Sequence, residues 1–291
     1  MSEKNNNYYI FADSACDLPE ELTSTYENFD LSCLSFTIDG ETDPKLTDKE
    51  FYDRLRKGSR SQTSQVPVGT FLEHMRPVLE SGHDILYVGF SSGLSGTVES
   101  GMTAAEMLRK DFPERKIIVV DTRSASCGYG LLVDKAVELR GRGKTIEENA
   151  QWLEDNKFYV HHLFTVDDLH FLQRGGRVSV SAAWFGTALQ IKPYMNMDKA
   201  EHLIAREKVI GRKRSIHRMF EKMQEYIVNP KPQKIFISHG DCMEDVEYLE
   251  SLITEEWGIT NFVVSYVGHV IGSHTGAGVL ALFFMGVERE D

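Results

Sequence analysis

The sequence predicts an α/β fold, with a mostly parallel N-terminal sheet covered by helices on both faces and a C-terminal α+β domain. In the first half, short apolar runs alternate with segments of helical periodicity, which is typical of a parallel sheet. Polar segments repeatedly follow those runs, at the strand ends where α/β proteins place functional side chains. The 291 residues suffice for two domains, and we place the boundary near Lys157, giving domains 1–157 and 158–291.

The N-terminal elements follow from these patterns in order. Asp39 and Gly40 form a hairpin-type turn after the second strand, and polar residues 13–17 follow the first. Asp13 at that strand end is as readily a turn residue as a functional one. Predicted strands are 8–12, 31–38, 85–88 and 116–120, and predicted helices are 19–26, 47–55, 68–79, 97–110, one from about 130, and 145–156.

The segment between the third strand and its helix, residues 88–97, contains three glycines and four hydroxyl side chains. Glycines allow tight turns, and a helix N-terminus offers free N–H groups, so this Gly/Ser loop predicts an anion cradle. Residues 61–67 form a second polar loop before a helix, and residues 270–278 a third, followed by a predicted apolar helix at 279–285. A single hydroxyl-rich loop usually only caps a helix. Thr63 becomes a stronger candidate for a functional residue if these loops come together in the fold.

The C-terminal half reads as a mixture of strands and helices. A turn with two glycines, residues 173–177, carries Arg174 and Arg177, and spacing alone favours a helix C-cap with solvated arginines. Predicted strands are 159–165, 194–197, 202–205, 207–210, 234–238 and 261–267, and predicted helices are 166–173, a buried one at 181–189, 211–227 and 243–256.

Charge and cysteine content restrict the function classes. The net charge is −12, from 32 Lys plus Arg and 44 Asp plus Glu, which argues against nucleic acid as a partner. The four cysteines form no C-x-x-C pair, so we expect reduced thiols, no metal site and a cytoplasmic protein. The polar start lacks a signal-peptide core, and the apolar run at 279–285 is too short to span a bilayer.

Three enzyme classes remain as alternatives. Ser95, His274 and either Asp13 or Asp121 could form the triad of a serine hydrolase acting on a lipid or acyl substrate, although Ser95 lacks the G-x-S-x-G elbow. A phosphate-binding enzyme could use the Gly/Ser loop, but no G-x-x-x-x-G-K-[ST] motif is present. A sugar- or glycerone-kinase-like domain rests on fold analogy alone.

Seven short motifs occur in order along nearly the whole chain. They are DSACDL at 13–18, TSQ at 63–65, SGLSGT at 92–97, DT at 121–122, LHFLQRGGR at 169–177, KP at 192–193 and GSHTG at 272–276. Together they resemble the motifs of the DegV family of bacterial lipid-binding proteins. The set departs from the family pattern at Ala277, where Pro is usual, at Val66-Pro67 in place of Pro-Ser, and at Ser273 in place of Thr.

The resemblance implies a long-chain fatty acid buried between the two domains, with no cofactor, no metal and no catalytic residue in this chain. The chain then resembles the fatty-acid-binding subunit of bacterial fatty acid kinase, which presents the carboxylate to a separate ATP-dependent kinase. That kinase makes acyl phosphate for phospholipid synthesis. A transient membrane contact stays open. By position, Thr63 and Ser95 would hold the carboxylate and His274 would complete its hydrogen-bond network; the headgroup region would include Ser64, Gly96, Arg174, Arg177, Gly272 and Ser273.

The basic run Arg212-Lys213-Arg214 has two interpretations. Such runs are usually solvated helix faces. On an acidic chain, a local basic cluster is also where an acidic partner would dock, so we expect these three residues to contact the kinase.

Overall fold

The computed structural model describes residues 8–178 and 191–290, and the predicted helix at 181–189 lies outside them. The strands are β1 (Tyr8–Asp13), β2 (Phe29–Ser32), β3 (Ser35–Ile38), β4 (Glu41–Thr42), β5 (Ser61–Ser64), β6 (Asp84–Gly89), β7 (Ile117–Asp121), β8 (Val160–Thr165), β9 (Ile191–Met197), β10 (Leu203–Ile210), β11 (Ile235–His239), β12 (Phe262–Tyr266) and β13 (Leu280–Met285). The helices are α1 (Glu20–Thr23), α2 (Asp48–Arg56), α3 (Val68–Glu80), α4 (Thr97–Asp111), α5 (Ser126–Gly141), α6 (Ile146–Asn156), α7 (His170–Arg174), α8 (Arg212–Tyr226), α9 (Met243–Trp257) and α10 (His269–Thr275).

A four-stranded parallel sheet, in the order β2-β1-β6-β7, organises the N-terminal half. The residues of β6 are buried along its whole length, as expected for a strand covered on both faces. Two helix pairs, α3 with α4 and α5 with α6, pack beside it. This confirms the predicted parallel α/β architecture, and it brings the segments after β1, β6 and β7 to one edge of the sheet.

A six-stranded mixed sheet, in the order β10-β9-β8-β13-β11-β12, organises the C-terminal half. One face, with Leu163, Ile237 and Leu282, belongs to a core that includes residues of α8 and α9. The opposite face, with Phe164 and Phe283, joins the core of the N-terminal half, where α5 packs against β11 and β13. The boundary near Lys157 stays a prediction.

A small antiparallel sheet, β4-β3-β5, covers one side of the N-terminal half. Asp39 and Gly40 connect β3 to β4 with φ values of 50° and 87°, which fits the predicted two-residue hairpin turn. The predicted strand at 31–38 is two strands, because β2 pairs with β1 in the parallel sheet whereas β3 pairs with β5.

Two of the polar loops are regular structure. Residues 61–64 form β5, and residues 269–275 form the short helix α10. The predicted helix at 279–285 is wrong, because residues 280–285 form β13 between β8 and β11. A strand buried on both faces is apolar throughout, so its sequence does not alternate and resembles a buried helix.

Candidate functional site

A cavity of about 220 Å³ lies where the carboxyl edge of the parallel sheet faces the mixed sheet. Its mouth is polar and half-exposed, with Ser64 and Gln65 beside it. Its interior is apolar and buried, with Phe164 and Phe283 exposing 6% and 2% of their surface. The cavity is therefore amphipathic along its length, with one end toward solvent.

Three predicted contact residues from distant parts of the sequence meet at the mouth. Thr63 on β5, Ser95 before α4 and His274 on α10 all line the cavity. Thr63 Oγ1 lies 2.8 Å from His274 Nε2, and Ser95 Oγ lies 2.9 Å from the hydroxyl of Thr97. These three residues therefore present uncharged hydrogen-bonding groups, which can hold an anion without neutralising it.

His274 is a neutral member of this mouth cluster of Thr63, Ser95 and His274. Burial, together with the nearby positive charge of Arg177, lowers the pKa of His274 to about 4. At neutral pH its ring therefore offers one donor and one acceptor nitrogen. Gly175 fits closely beside it, since a Cβ built on Gly175 would lie 2.3 Å from His274 Nδ1.

The two arginines of the Gly-Gly turn have different environments. Gly175 ends α7, as the predicted C-cap requires, and Gly176 has a φ of 70°. The spacing predicted a solvated Arg177, but Arg177 lines the cavity. Its Nε and Nη2 each lie 3.3 Å from the Leu94 carbonyl oxygen. Arg174 is exposed, stacks 4.6 Å from the Phe171 ring centroid, and lies in a separate surface cleft.

Of the other four predicted headgroup residues, two line the cavity and two do not. Ser64 and Gly96 line the cavity, whereas Gly272 and Ser273 do not. Ser273 Oγ lies 2.6 Å from the hydroxyl of Ser61 and donates to the His269 carbonyl. These contacts attach α10 to the small antiparallel sheet, so Ser273 supports the site from behind.

The Gly/Ser loop after β6 does bind an anion, but the anion belongs to this chain. The carboxylate of Glu201 accepts hydrogen bonds from the Ser91 hydroxyl and from the Gly93 N–H at 2.8 Å, and it pairs with Arg123. Glu201 is 4% exposed and lies in the turn between β9 and β10. Its role was not predictable from the sequence, because nothing in that short turn indicates a partner about a hundred residues away.

The hydrolase triad is not assembled. Ser95 bonds to Thr97, and His274 bonds to Thr63. Asp13 accepts from Tyr87 and Tyr129, and burial raises its pKa to about 6. Among the described residues no carboxylate is hydrogen-bonded to His274, so Ser95 lacks an oriented base. The described part of the chain also contains no group of side chains suited to hold a metal ion.

In the basic run at the start of α8, Arg212 forms ion pairs within the chain, whereas Lys213 and Arg214 are exposed. Arg212 donates to Asp245 at 2.8 Å and lies 3.7 Å from Asp167. Lys213 and Arg214 are exposed, and Lys213 lies 5.6 Å from the ring centroid of Tyr248. Within residues 8–178 and 191–290, no helix is long and apolar enough to cross a membrane.

Comparison with known proteins gives consistent matches over the whole length. The family model described as "Uncharacterised protein, DegV family" matches residues 7–286. A DegV domain-containing protein of Clostridium perfringens is 42% identical over 290 residues, covering 97% of this chain and 99% of that relative. A solved DegV family protein from Thermus thermophilus, described by its fatty acid binding, has a TM-score of 0.84 at 27% identity, covering 97% and 100% of the two chains. The solved DegV of Bacillus subtilis, described as a fatty acid binding protein, has a TM-score of 0.82 at 29% identity, covering 96% and 99%.

Proposed function

This chain belongs to the DegV family, and we propose that it binds a long-chain fatty acid with its carboxylate at the mouth cluster of Thr63, Ser95 and His274. The observation that carries the proposal is the cavity, with a half-exposed polar mouth and a buried apolar interior. A fatty acid has the same division between head and tail.

The tail supplies the affinity in this proposal. Each buried CH₂ group contributes about 0.8 kcal/mol, so the tail of a ~16-carbon fatty acid contributes roughly 12 kcal/mol before entropic and desolvation costs. Phe164 and Phe283 supply part of the apolar wall. The head supplies orientation, because burying the carboxylate without donors is unfavourable.

The head also sets the chemistry that we propose, which is presentation of the carboxylate to a separate ATP-dependent kinase. The hydroxyls of Thr63 and Ser95 hold the carboxylate without removing its charge, and the guanidinium of Arg177 is directed toward the carbonyls of Leu94 and Gly175. A charged oxygen at the mouth can attack the γ-phosphorus of ATP held by the partner, forming acyl phosphate and ADP. This product would serve phospholipid synthesis, and the chain itself would be a carrier rather than an enzyme.

We assign the kinase contact to three exposed cations that do not line the cavity. Lys213, Arg214 and Arg174 are exposed, whereas Arg212 is bonded to Asp245 and positions the start of α8. Reversing the charge of Lys213 and Arg214 should reduce acyl phosphate formation, measured as hydroxamate after trapping, without changing fatty acid affinity. Lys110→Glu, on the exposed surface of α4, is the matched charge reversal. Unchanged acyl phosphate formation would remove this contact from the proposal.

Binding itself is tested by native mass spectrometry of the purified protein, followed by organic extraction. We expect a fatty acid in near-equal molar amount, and rebinding of added stearic acid after delipidation. A protein that purifies without lipid and takes up no added fatty acid would refute the proposed function. Stoichiometric labelling of Ser95 by a fluorophosphonate would favour the hydrolase alternative instead.

A further inference from the structure

Alternate residues of β13 run along the floor of the cavity, away from its mouth. The chain leaves α10, which carries His274, and then Val279, Ala281 and Phe283 line the cavity in turn. Residues two apart on a strand point to the same face and lie about 7 Å apart. The cavity therefore extends from the mouth cluster toward Phe283, and Met285, the next residue of this series, does not line it.

A row of side chains on four neighbouring strands crosses the floor at this inner end. Phe283 on β13 pairs with His162 on β8, and Met197 on β9 pairs with Leu203 on β10. The antiparallel register of β8 and β9 brings His162 and Met197 next to one another. All four side chains line the cavity. This end row of Phe283, His162, Met197 and Leu203 therefore closes the cavity across the mixed sheet.

A second cleft, of about 190 Å³, adjoins the end row. Among the described residues, His162 and Met197 line both the cavity and this cleft, so they form the partition between them. The cleft is also lined by Asn196 and by the buried Arg289. An alkyl chain that passed the partition would leave an apolar wall for polar and charged surroundings, where its burial is less favourable.

The two partition residues differ in how firmly they are held. His162 Nε2 accepts from the Ala125 N–H, and its Nδ1 donates to the Val160 carbonyl, each at 3.2 Å. A Cβ built on Gly128 would lie 2.5 Å from His162 Nε2, so α5 also encloses the ring. Met197 is 1% exposed and has a flexible, unbranched side chain without a strong hydrogen-bonding group. The end of the Met197 side chain is therefore the adjustable part of the partition.

We propose that Met197 limits the length of the acyl chain that this protein binds, by closing the inner end of the cavity against the second cleft. The inference rests on the proposed function, because it requires an acyl chain whose methyl end points toward the end row. A chain that just reaches the end row has its whole tail against apolar side chains. Each further CH₂ group would have to displace Met197, and overpacking a buried wall is unfavourable.

The test compares two saturated fatty acids that differ by two CH₂ groups. Delipidated wild type and Met197→Ala are titrated with stearic acid and eicosanoic acid, and the Kd of eicosanoic acid is divided by that of stearic acid. The substitution removes Cγ, Sδ and Cε, which leaves room for about two CH₂ groups, and burying them changes the affinity about ten-fold. We therefore expect this ratio to be about ten-fold lower in Met197→Ala than in wild type.

Two further variants separate the partition from general packing. Met195→Ala is the matched control, because Met195 is fully buried on the same face of β9 but does not line the cavity. It loses the same side-chain atoms and should keep the wild-type ratio. Met197→Phe enlarges the partition and should raise the ratio.

The possible results separate this inference from the proposed function. If wild type binds stearic acid and Met197→Ala keeps the wild-type ratio, Met197 does not close the cavity and the inference is wrong. An equal fall of the ratio in Met195→Ala would mean that loosening of β9 causes it, which also refutes the inference. If wild type binds neither acid, both the inference and the proposed function are wrong. Should Met197→Ala fail to fold, Met197→Val replaces it, and the ratio should fall in the same direction.

Discussion

Thr63 is the residue at the mouth whose loss should affect the proposed ligand most directly. Its hydroxyl lies 2.8 Å from His274 Nε2, so removing it takes one donor from the carboxylate and the partner from the histidine. Losing a hydrogen bond to a charged group costs about 1.5–3 kcal/mol. We therefore expect Thr63→Ala to weaken fatty acid binding roughly 10- to 100-fold, measured by titration calorimetry on delipidated protein.

Thr63→Ser and Thr103→Ala are the controls for that prediction. The serine keeps the hydroxyl and should retain most of the affinity, whereas Thr103 lies on the exposed surface of α4 and should not matter. Equal affinities of wild type and Thr63→Ala would exclude Thr63 as a carboxylate ligand.

His161 gives a pH-dependent prediction about stability. It stacks between Tyr226 and Phe284, and burial lowers its pKa to about 4. The unfolded chain, with a histidine pKa near 6.5, binds the proton more readily. The free energy of unfolding is therefore not reduced by His161 above about pH 6.5. It falls by about 3 kcal/mol as the pH decreases from about 6.5 to about 4, because the unfolded chain takes up the proton first. His161→Phe should lose correspondingly less stability on acidification, measured by urea unfolding at several pH values.

The comparison between variant and wild type isolates this contribution. The buried carboxyls of Asp13 and Asp17, whose pKa values are raised to about 6 and about 7, change stability in the opposite direction but do so in both proteins. Met107→Phe, at an exposed position of α4, adds a phenyl ring without changing a titratable group and should leave the pH profile unchanged. Parallel profiles for wild type and His161→Phe would contradict the assignment.

Residue types at the mouth were predictable from sequence, but their partners were not. Hydroxyls and a histidine in polar loops indicated a polar site, the family resemblance assigned its contacts to Thr63, Ser95 and His274, and these three residues do line one cavity. Glu201 could not be predicted in the same way. Its partners Ser91 and Arg123 are about a hundred and about eighty residues away, and only tertiary folding joins them.

At the level of elements, periodicity identified most helices and strands and failed where burial is complete. Amphipathic helices such as α2 and α3 have one apolar face, which gives their sequence a helical period. The residues of β13 are nearly all buried between two sheet neighbours, so its sequence contains no period that distinguishes a strand from a helix. The polar β5 gave no signal because it is a short strand at the edge of its sheet.

The turn after α7 gives a prediction about packing between elements. A methyl group on Gly175 would lie 2.3 Å from His274 Nδ1, so Gly175→Ala should displace the ring of His274 from Thr63. We expect fatty acid affinity to fall about ten-fold. Gly69→Ala on α3 has nothing within 4 Å of the added carbon and should keep wild-type affinity. If both variants bind like wild type, the close contact of Gly175 does not hold the site.

At the scale of the whole molecule, the turn between β9 and β10 joins the two halves of the chain. Glu201 in this turn bonds to Ser91, Gly93 and Arg123 of the N-terminal half. Met197 and Leu203 lie on either side of the turn, and both line the cavity. The contact that joins the two halves therefore also covers part of the proposed acyl site.

Glu201→Gln should weaken both functions of this turn. The amide keeps the size of the side chain but removes the charge that faces Arg123 and the buried guanidinium of Arg289. Because Arg123 is 39% exposed, solvent screens part of the loss, and we expect the free energy of unfolding to fall by about 1–3 kcal/mol. Urea unfolding measures this loss, and stopped-flow displacement of a fluorescent fatty acid should show faster release than from wild type.

Glu106→Gln on the exposed face of α4 is the matched control. Lower stability with unchanged release would mean that the turn joins the two halves without controlling access to the cavity, and no change in either would mean that Glu201 contributes to neither.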